Sequence, residues 1–163
     1  MVGDVLFFKK TNSIVSRIIA KITKSDYTHV GLIVAHDEMT NVATIIESDR
    51  FVRTRVSMIK IDESHIVYTT GNNSEELKSR IVNYAYKRLG TEYDYMQIMG
   101  IFLSFIFKGE RFFNSSNKLI CSELIDLAYF EAGVKRKNHL NIGNVTPQEL
   151  IDIYDLKELE KGA

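Results

Sequence analysis

Hydrophobic residues in the first half of the chain come in short alternating or continuous runs, separated by polar turns. Such runs are typical of β-strands, because the side chains of a strand alternate between two faces and a fully buried strand is apolar throughout. The predicted strands cover residues 5–9, 29–35, 42–46, 51–56 and 65–69. Polar residues 36–41 join two of these strands and predict a hairpin. Residues 13–21 differ, since their isoleucines recur at helical spacing.

Apolar residues in the second half recur at helical spacing and lie between residues that start and stop helices. Ser74, followed by Glu75 and Glu76, predicts the start of a helix that Gly90 ends. Further helices are predicted over residues 95–107, 119–132 and 147–154, the last with Pro at its first position. Strands gathered in one half and helices in the other favour an α+β fold.

Size and charge narrow the class of protein. A chain of 163 residues favours one domain, predicted to span residues 1–163. Lys+Arg and Asp+Glu both number 21, and this zero net charge argues against a nucleic-acid partner. The longest strongly apolar run, residues 98–107, is shorter than the roughly 20 residues of a transmembrane helix. Since no signal peptide is recognisable, we expect a cytoplasmic protein, with delivery to a cell wall by another route left open.

The single cysteine of the chain opens one of the predicted helices. One cysteine permits no disulfide within the chain, and four scattered histidines offer no spacing typical of metal ligands, so no metal site is predicted. Cys121 shares a helical stripe with Leu124, Ile125 and Ala128. A helix N-terminus stabilises a thiolate, and its free N–H groups can stabilise an oxyanion, so Cys121 is a candidate nucleophile. The alternative is a small core residue on an apolar stripe.

His29 and Glu47 are the polar residues that the predicted hairpin would bring together. His29 opens its strand on the face of Gly31 and Ile33, where it could reach a thiol on a helix packed over that face. Gly31 would let this helix approach closely. Glu47 ends the partner strand, so a carboxylate there would orient the imidazole and favour its protonated form. A structural histidine and a surface carboxylate are the alternatives.

Four short motifs carry a resemblance to a known family. In order and spacing, residues 3–7 (GDVLF), 28–32 (THVGL), 46–48 (IES) and 121–124 (CSEL) resemble the circularly permuted NlpC/P60 proteins, papain-like hydrolases of the YiiX and YaeF type. Residues 90–94 (GTEYD) are similar to the family's segment before the cysteine helix, and Thr146-Pro147 to its closing helix start. The order His, acid, Cys is that of the permuted group.

The resemblance implies a papain-like fold, a small antiparallel sheet or open barrel packed against helices, with Cys121 at a helix N-terminus. It implies that Cys121 attacks a carbonyl, that His29 transfers the proton and that Glu47 is the third member, through an acyl-enzyme and without a cofactor. The expected activity is that of a cysteine peptidase or amidase on a small peptide or a peptidoglycan-type substrate. Two alternatives stay open: a lipid-directed acyltransferase or thioesterase with residues 96–107 along an acyl groove, and a non-enzymatic binding module.

Two tyrosines are candidates for substrate binding in a papain-like groove. Tyr27, two residues before His29, would share its strand face and lie at the rim of the groove, where an apolar ring and a hydroxyl suit a peptide or acyl chain. A tyrosine packed on the surface is the alternative. Tyr93, in the segment before the cysteine helix, is the second candidate.

Overall fold

The computed structural model of the chain describes residues 1–11, 25–48, 53–72, 74–93, 118–119 and 121–159. The helices predicted over residues 13–21 and 95–107 lie outside these ranges. In chain order, the described elements are β1 (Val5–Lys9), β2 (Tyr27–Asp37), β3 (Val42–Ser48), β4 (Thr54–Lys60), β5 (His65–Thr69), α1 (Glu75–Lys87), β6 (Glu92–Tyr93), β7 (Lys118–Leu119), α2 (Cys121–Ala132), α3 (Pro147–Tyr154) and β8 (Lys157–Glu158).

An antiparallel six-stranded sheet forms the centre of the described structure. Its strand order is β4-β3-β2-β1-β5-β8, so the predicted hairpin of β2 and β3 lies inside the sheet. Strands β6 and β7 pair separately and in parallel. The α+β fold predicted from the sequence is therefore confirmed. The fourth strand runs over Thr54–Lys60 and so continues past the predicted end at residue 56, while residues 51–52 of the prediction lie outside the described residues; β8 was not predicted.

The two faces of the sheet carry different clusters of buried residues. One face packs against the helices, and its cluster includes Val30 and Leu32 of β2 together with Cys121 and Leu124 of α2. The opposite face holds a smaller cluster that includes Ile33 and Ile45 among other residues. The alternation predicted for β2 is thus correct, but helix α2 packs over the Val30 and Leu32 face and not over the face of His29. Among the described residues, no helix has the length and apolar character needed to cross a membrane.

Local sequence signals account for the ends of the helices. Ser74 caps α1 by accepting a hydrogen bond from the N–H of Leu77, and Glu75 and Glu76 lie in the first turn. Helix α3 begins with a capping box between Thr146 and Glu149 and has Pro at its start. These caps account for where α1 and α3 begin.

Candidate active site

Cys121 is the first residue of helix α2 and belongs to the buried stripe of that helix. It is a free thiol and only 7% exposed. The backbone N–H groups of Val30 and Ser122 donate hydrogen bonds to its Sγ atom, and the His29 side chain bonds it as well. Burial opposes ionisation of the thiol, but the charge of His29 and these three hydrogen bonds lower the pKa of Cys121 below its ordinary value. The site thus favours the thiolate, the nucleophilic form of cysteine.

His29 lies near the start of β2 and bonds both Cys121 and Glu47. Its Nε2 atom is 2.6 Å from Oε2 of Glu47. Because Glu47 occupies Nε2, Nδ1 is the ring nitrogen that remains for Cys121. Burial lowers the pKa of His29, but the thiolate of Cys121 and the Glu47 carboxylate outweigh it and raise the pKa from 6.5 to about 9. The imidazolium is therefore the favoured form at neutral pH.

Glu47 is a buried carboxylate near the end of β3, with 6% of its surface exposed. Its Oε2 atom faces His29, while Oε1 accepts a hydrogen bond of 2.5 Å from Ser57 Oγ and one of 3.3 Å from Arg55 Nε. Burial raises the pKa of Glu47, but the hydrogen bonds from His29, Ser57 and Arg55 and the charge of His29 lower it to about 2. Glu47 therefore stays ionised and acts only as an acceptor.

The register of strands β2, β3 and β4 explains why the side chains of His29, Glu47 and Ser57 meet. Leu32 pairs with Ile46, which places Glu47 of β3 across from the start of β2. Glu47 pairs in turn with Arg55 of β4. Each contact of the Glu47 carboxylate with His29 and Ser57 is then a diagonal contact between neighbouring strands, within reach of long side chains.

Gly31 serves this geometry in a different way from the one predicted. A Cβ atom at Gly31 would lie 2.6 Å from Cδ1 and 3.3 Å from Cβ of Ile45. The absent side chain therefore makes room for Ile45 of the neighbouring strand and not for a helix. The expectation that Gly31 lets the helix approach was wrong, because α2 packs on the other face of the sheet.

Tyr27 lies on the opposite face of the sheet from His29. The register of β1 and β2 shifts between Phe8 and Lys9, so that Phe8 pairs with His29 and Lys9 with Tyr27. This irregularity breaks the alternation, and Tyr27 packs edge-on against Phe7 at 5.0 Å in the helix-side cluster. The expectation of a shared face was therefore wrong. Tyr27 is 8% exposed, and its hydroxyl lies 2.8 Å from that of Tyr68.

Neither Tyr93 nor the histidines His36 and His65 add a described side chain to the site. Tyr93 belongs to the short strand β6, and its side chain lies outside the described part of the structure. Substrate binding by Tyr27 and Tyr93 stays a prediction. His36 and His65 have partners of their own, Asn41 and Asp62 respectively.

Sequence analysis missed the residues that support the histidine and the carboxylate. Ser57 and Arg55 hold Glu47, and the ring of Phe8 lies 5.1 Å from that of His29. The predicted fourth strand ended at residue 56, so Ser57 was left out of it. A strand continued to Lys60 and paired with β3 would have placed Ser57 diagonally from Glu47.

Papain-like cysteine hydrolases have a thiol at the start of a helix, next to a histidine that a polar side chain orients. Cys121, His29 and Glu47 have this arrangement. Comparison with protein families agrees with this class. The model of the permuted papain-like amidase family, YaeF/YiiX or C92, matches residues 1–154. The chain belongs to this family and is a cysteine peptidase or amidase of the papain-like class. The broader link to NlpC/P60 proteins stays a prediction.

Comparison with solved structures supports the same fold. A crystal structure of the metalloprotein yiiX from Escherichia coli O157:H7 is similar with a TM-score of 0.70 and 20% sequence identity, over 99% of this chain and 97% of that chain. No curated protein matches the chain. The likeness to yiiX shows the papain-like fold alone.

The name of the similar structure raises the question of a metal site in this chain. Among the described residues, no group of three or more His, Cys, Asp or Glu side chains is placed to hold a metal ion. In the candidate site, both carboxylate oxygens of Glu47 are already hydrogen-bonded, Oε2 to His29 and Oε1 to Ser57 and Arg55. The described side chains therefore do not fit a metal centre.

Proposed function

We propose that Cys121, His29 and Glu47 form the catalytic set of an amidase that cleaves an amide bond of a small peptide or cell-wall-type substrate. The observation that carries the proposal is the position of His29 between the Cys121 thiol, with which it interacts, and Glu47, whose Oε2 atom lies 2.6 Å from Nε2 of His29. The pKa of each member is shifted in the direction that its role needs: it is lowered for the thiol, raised for the imidazole and lowered for the carboxylate.

The reaction follows from the positions of the thiol and the imidazole. The Cys121 thiolate attacks the carbonyl carbon of the amide, and the electron pair of the C=O bond moves to oxygen. The N–H groups at the start of α2 would stabilise this oxyanion, since the first turn of a helix leaves them without helical partners. When the oxyanion collapses, the C–N bond breaks, His29 gives its proton to the leaving amine, and a thioester on Cys121 remains.

Hydrolysis of the thioester uses the same groups in the reverse proton direction. His29, now neutral, takes a proton from water as the water oxygen attacks the thioester carbonyl. Collapse of the second oxyanion breaks the C–S bond, releases the carboxylic acid and restores the thiolate beside an imidazolium. Glu47 keeps Nδ1 of His29 directed at the reacting atoms and stabilises the imidazolium in both steps.

Covalent labelling tests the proposal and identifies the acyl class. The protein is exposed separately to a peptidyl fluoromethyl ketone and to a long-chain acyl fluoromethyl ketone, and the intact mass is measured. We expect one adduct from the peptidyl reagent in the native protein and none in Cys121→Ala. An adduct from the long-chain reagent alone would favour a lipid-directed acyl enzyme, and no adduct from either would contradict Cys121 as a nucleophile.

A further inference from the structure

Ser57 makes the shortest described contact to the carboxylate that holds His29. Its Oγ atom lies 2.5 Å from Oε1 of Glu47, whereas His29 bonds the other oxygen, Oε2. An ionised carboxylate can only accept, so the Ser57 hydroxyl is the donor in this bond. A hydroxyl that donates to a charged oxygen forms a charge-assisted hydrogen bond, which is stronger than a bond between neutral groups.

Arg55 bonds the same oxygen, but over a longer distance and with a side chain that is more exposed to solvent. Its Nε atom lies 3.3 Å from Oε1, and its side chain is 49% exposed, against 7% for Glu47. An ion pair between a half-exposed guanidinium and a carboxylate is weakened by water and salt. Ser57 lies in the strand next to Glu47 and approaches more closely. Of the two donors, Ser57 is therefore the one that fixes the plane of the carboxylate.

We propose that Ser57 is a positioning residue: its hydroxyl holds Oε1 of Glu47 so that Oε2 stays on Nε2 of His29 and Nδ1 stays on Cys121. The inference rests on the proposed function, because Ser57 acts through Glu47 and not on the reacting atoms. The chain of contacts crosses three strands, with Ser57 in β4, Glu47 in β3 and His29 in β2.

Loss of the Ser57 hydroxyl should weaken each link of this chain in turn. Without it, the buried Glu47 anion keeps His29 and the more distant Arg55 as described donors, so its ionised form is less stable. A weaker Glu47 anion stabilises the imidazolium less, and a less stable imidazolium favours the Cys121 thiolate less. The thiolate should therefore form at a higher pH in a variant that lacks the hydroxyl.

The pH profile of Cys121 alkylation by iodoacetamide measures this effect without a known substrate. We expect Ser57→Ala to shift the rising limb upward by about 0.5–1 pH unit, which lowers the rate on that limb about 3- to 10-fold. Ser57→Thr, which keeps the hydroxyl, should restore the wild-type profile. Ser57→Val has nearly the shape of threonine without its hydroxyl and should behave as Ser57→Ala, which separates the hydroxyl from any effect on packing.

Ser64 supplies a matched control elsewhere in the chain. Its hydroxyl donates to Oδ1 of Asp62 at 2.6 Å, and Asp62 bonds His65, so the chemistry is alike but the histidine differs. Ser64→Ala should leave the Cys121 profile unchanged. An unshifted profile in Ser57→Ala, or an equal shift in Ser64→Ala, would overturn the role of Ser57 and leave the proposed function intact. A wild-type Cys121 that reacts as an ordinary thiol would overturn both.

Discussion

Two histidines lie against the same ring, yet only one belongs to a candidate active site. The ring of Phe8 is 5.1 Å from that of His29 and 4.8 Å from that of His65. Each histidine also bonds a carboxylate, Glu47 at 2.6 Å and Asp62 at 2.8 Å. A ring contact and a carboxylate partner are therefore not enough to mark a catalytic histidine.

The difference lies in the carboxylate and in the second partner of each ring. The Glu47 side chain is 7% exposed, whereas that of Asp62 is 60% exposed and lies in the turn before β5. The single thiol of the chain bonds His29. A buried carboxylate interacts strongly because little water screens it, whereas an exposed one is screened. The comparison teaches that burial and a nucleophile distinguish the site from a local turn.

The largest difference should appear when each histidine is removed. We expect His29→Ala to lower the turnover of p-nitrophenyl acetate by about 10²–10⁴-fold, because the Cys121 thiolate loses its imidazolium partner and the water that attacks the thioester loses its base. His65→Ala should keep most of the turnover and lower the melting temperature, since His65 is buried against Phe8. Comparable losses of turnover in both variants would erase the distinction between the two histidines.

Removal of the charge of each carboxylate should give the next largest contrast. Glu47→Gln leaves the shape of the side chain but cannot balance an imidazolium, so we expect turnover to fall by about 10- to 10⁴-fold. Asp62→Asn should change turnover by less than about twofold, because Asp62 contacts His65 and not His29. Steady-state rates of the two variants at neutral pH measure this contrast. A loss of turnover smaller than about 10-fold in Glu47→Gln would contradict an orienting role for the carboxylate.

The contributions of Glu47 and Asp62 to the free energy of unfolding should also differ in how they depend on acidic pH. The pKa of Glu47 falls from 4.5 to about 2, so its stabilisation is complete above about pH 4.5 and is lost as the pH drops toward 2. A shift of this size corresponds to on the order of 3 kcal/mol. The amide introduced by Glu47→Gln cannot titrate, so the difference in unfolding free energy between the wild type and this variant should shrink across that window.

Urea unfolding at a series of pH values between these limits measures the difference. Asp62→Asn is the control, because the pKa of Asp62 is also lowered to about 2 by Ser64 and His65, but its carboxylate is exposed to solvent. We expect a smaller change with pH for that variant. A difference for Glu47→Gln that stays constant down to the acid limit of this window would mean that folding does not favour the ionised form of Glu47.

The smallest effect is expected at Tyr27, which lies near His29 in the chain but on the other face. Tyr27→Phe removes only the hydroxyl that bonds Tyr68. If Tyr27 packs the core, this change should cost about 1 kcal/mol of stability and leave KM and kcat unchanged. If the hydroxyl contacts the substrate, KM should rise with kcat unchanged. The burial of Tyr27 favours the first result, and thermal melts with steady-state kinetics distinguish the two.

The elements that position the site were largely predictable from the sequence. The bounds of β1 and β5 were predicted to the residue, since apolar runs between polar turns define them. The hairpin of β2 and β3 correctly placed Glu47 beside His29. A helix over residues 119–132 was also predicted, and α2 begins at Cys121. These features depend on local periodicity and on pairing of neighbouring strands, both of which the sequence carries.

Features that depend on register were not predictable in the same way. The irregularity between Phe8 and Lys9 places Tyr27 on the face opposite His29, and no residue in the sequence predicts this irregularity. Strand β8 has two exposed residues and no apolar pattern. Ser57 looks like any serine on a strand until the pairing of β4 with β3 places it on Glu47. A shift of one residue in register changes every such contact.

The pH dependence of Cys121 alkylation, compared between the wild type and His29→Ala, tests the central claim most directly. The thiol is the only one in the chain, so intact mass after iodoacetamide treatment reports it alone. We predict that the wild type reacts in its native state well below the pH of about 8.5 at which a free thiol ionises, and that His29→Ala reacts only near that pH. A wild-type thiol that reacts only after unfolding, or with the same pH dependence as His29→Ala, would contradict a thiolate–imidazolium pair at this site.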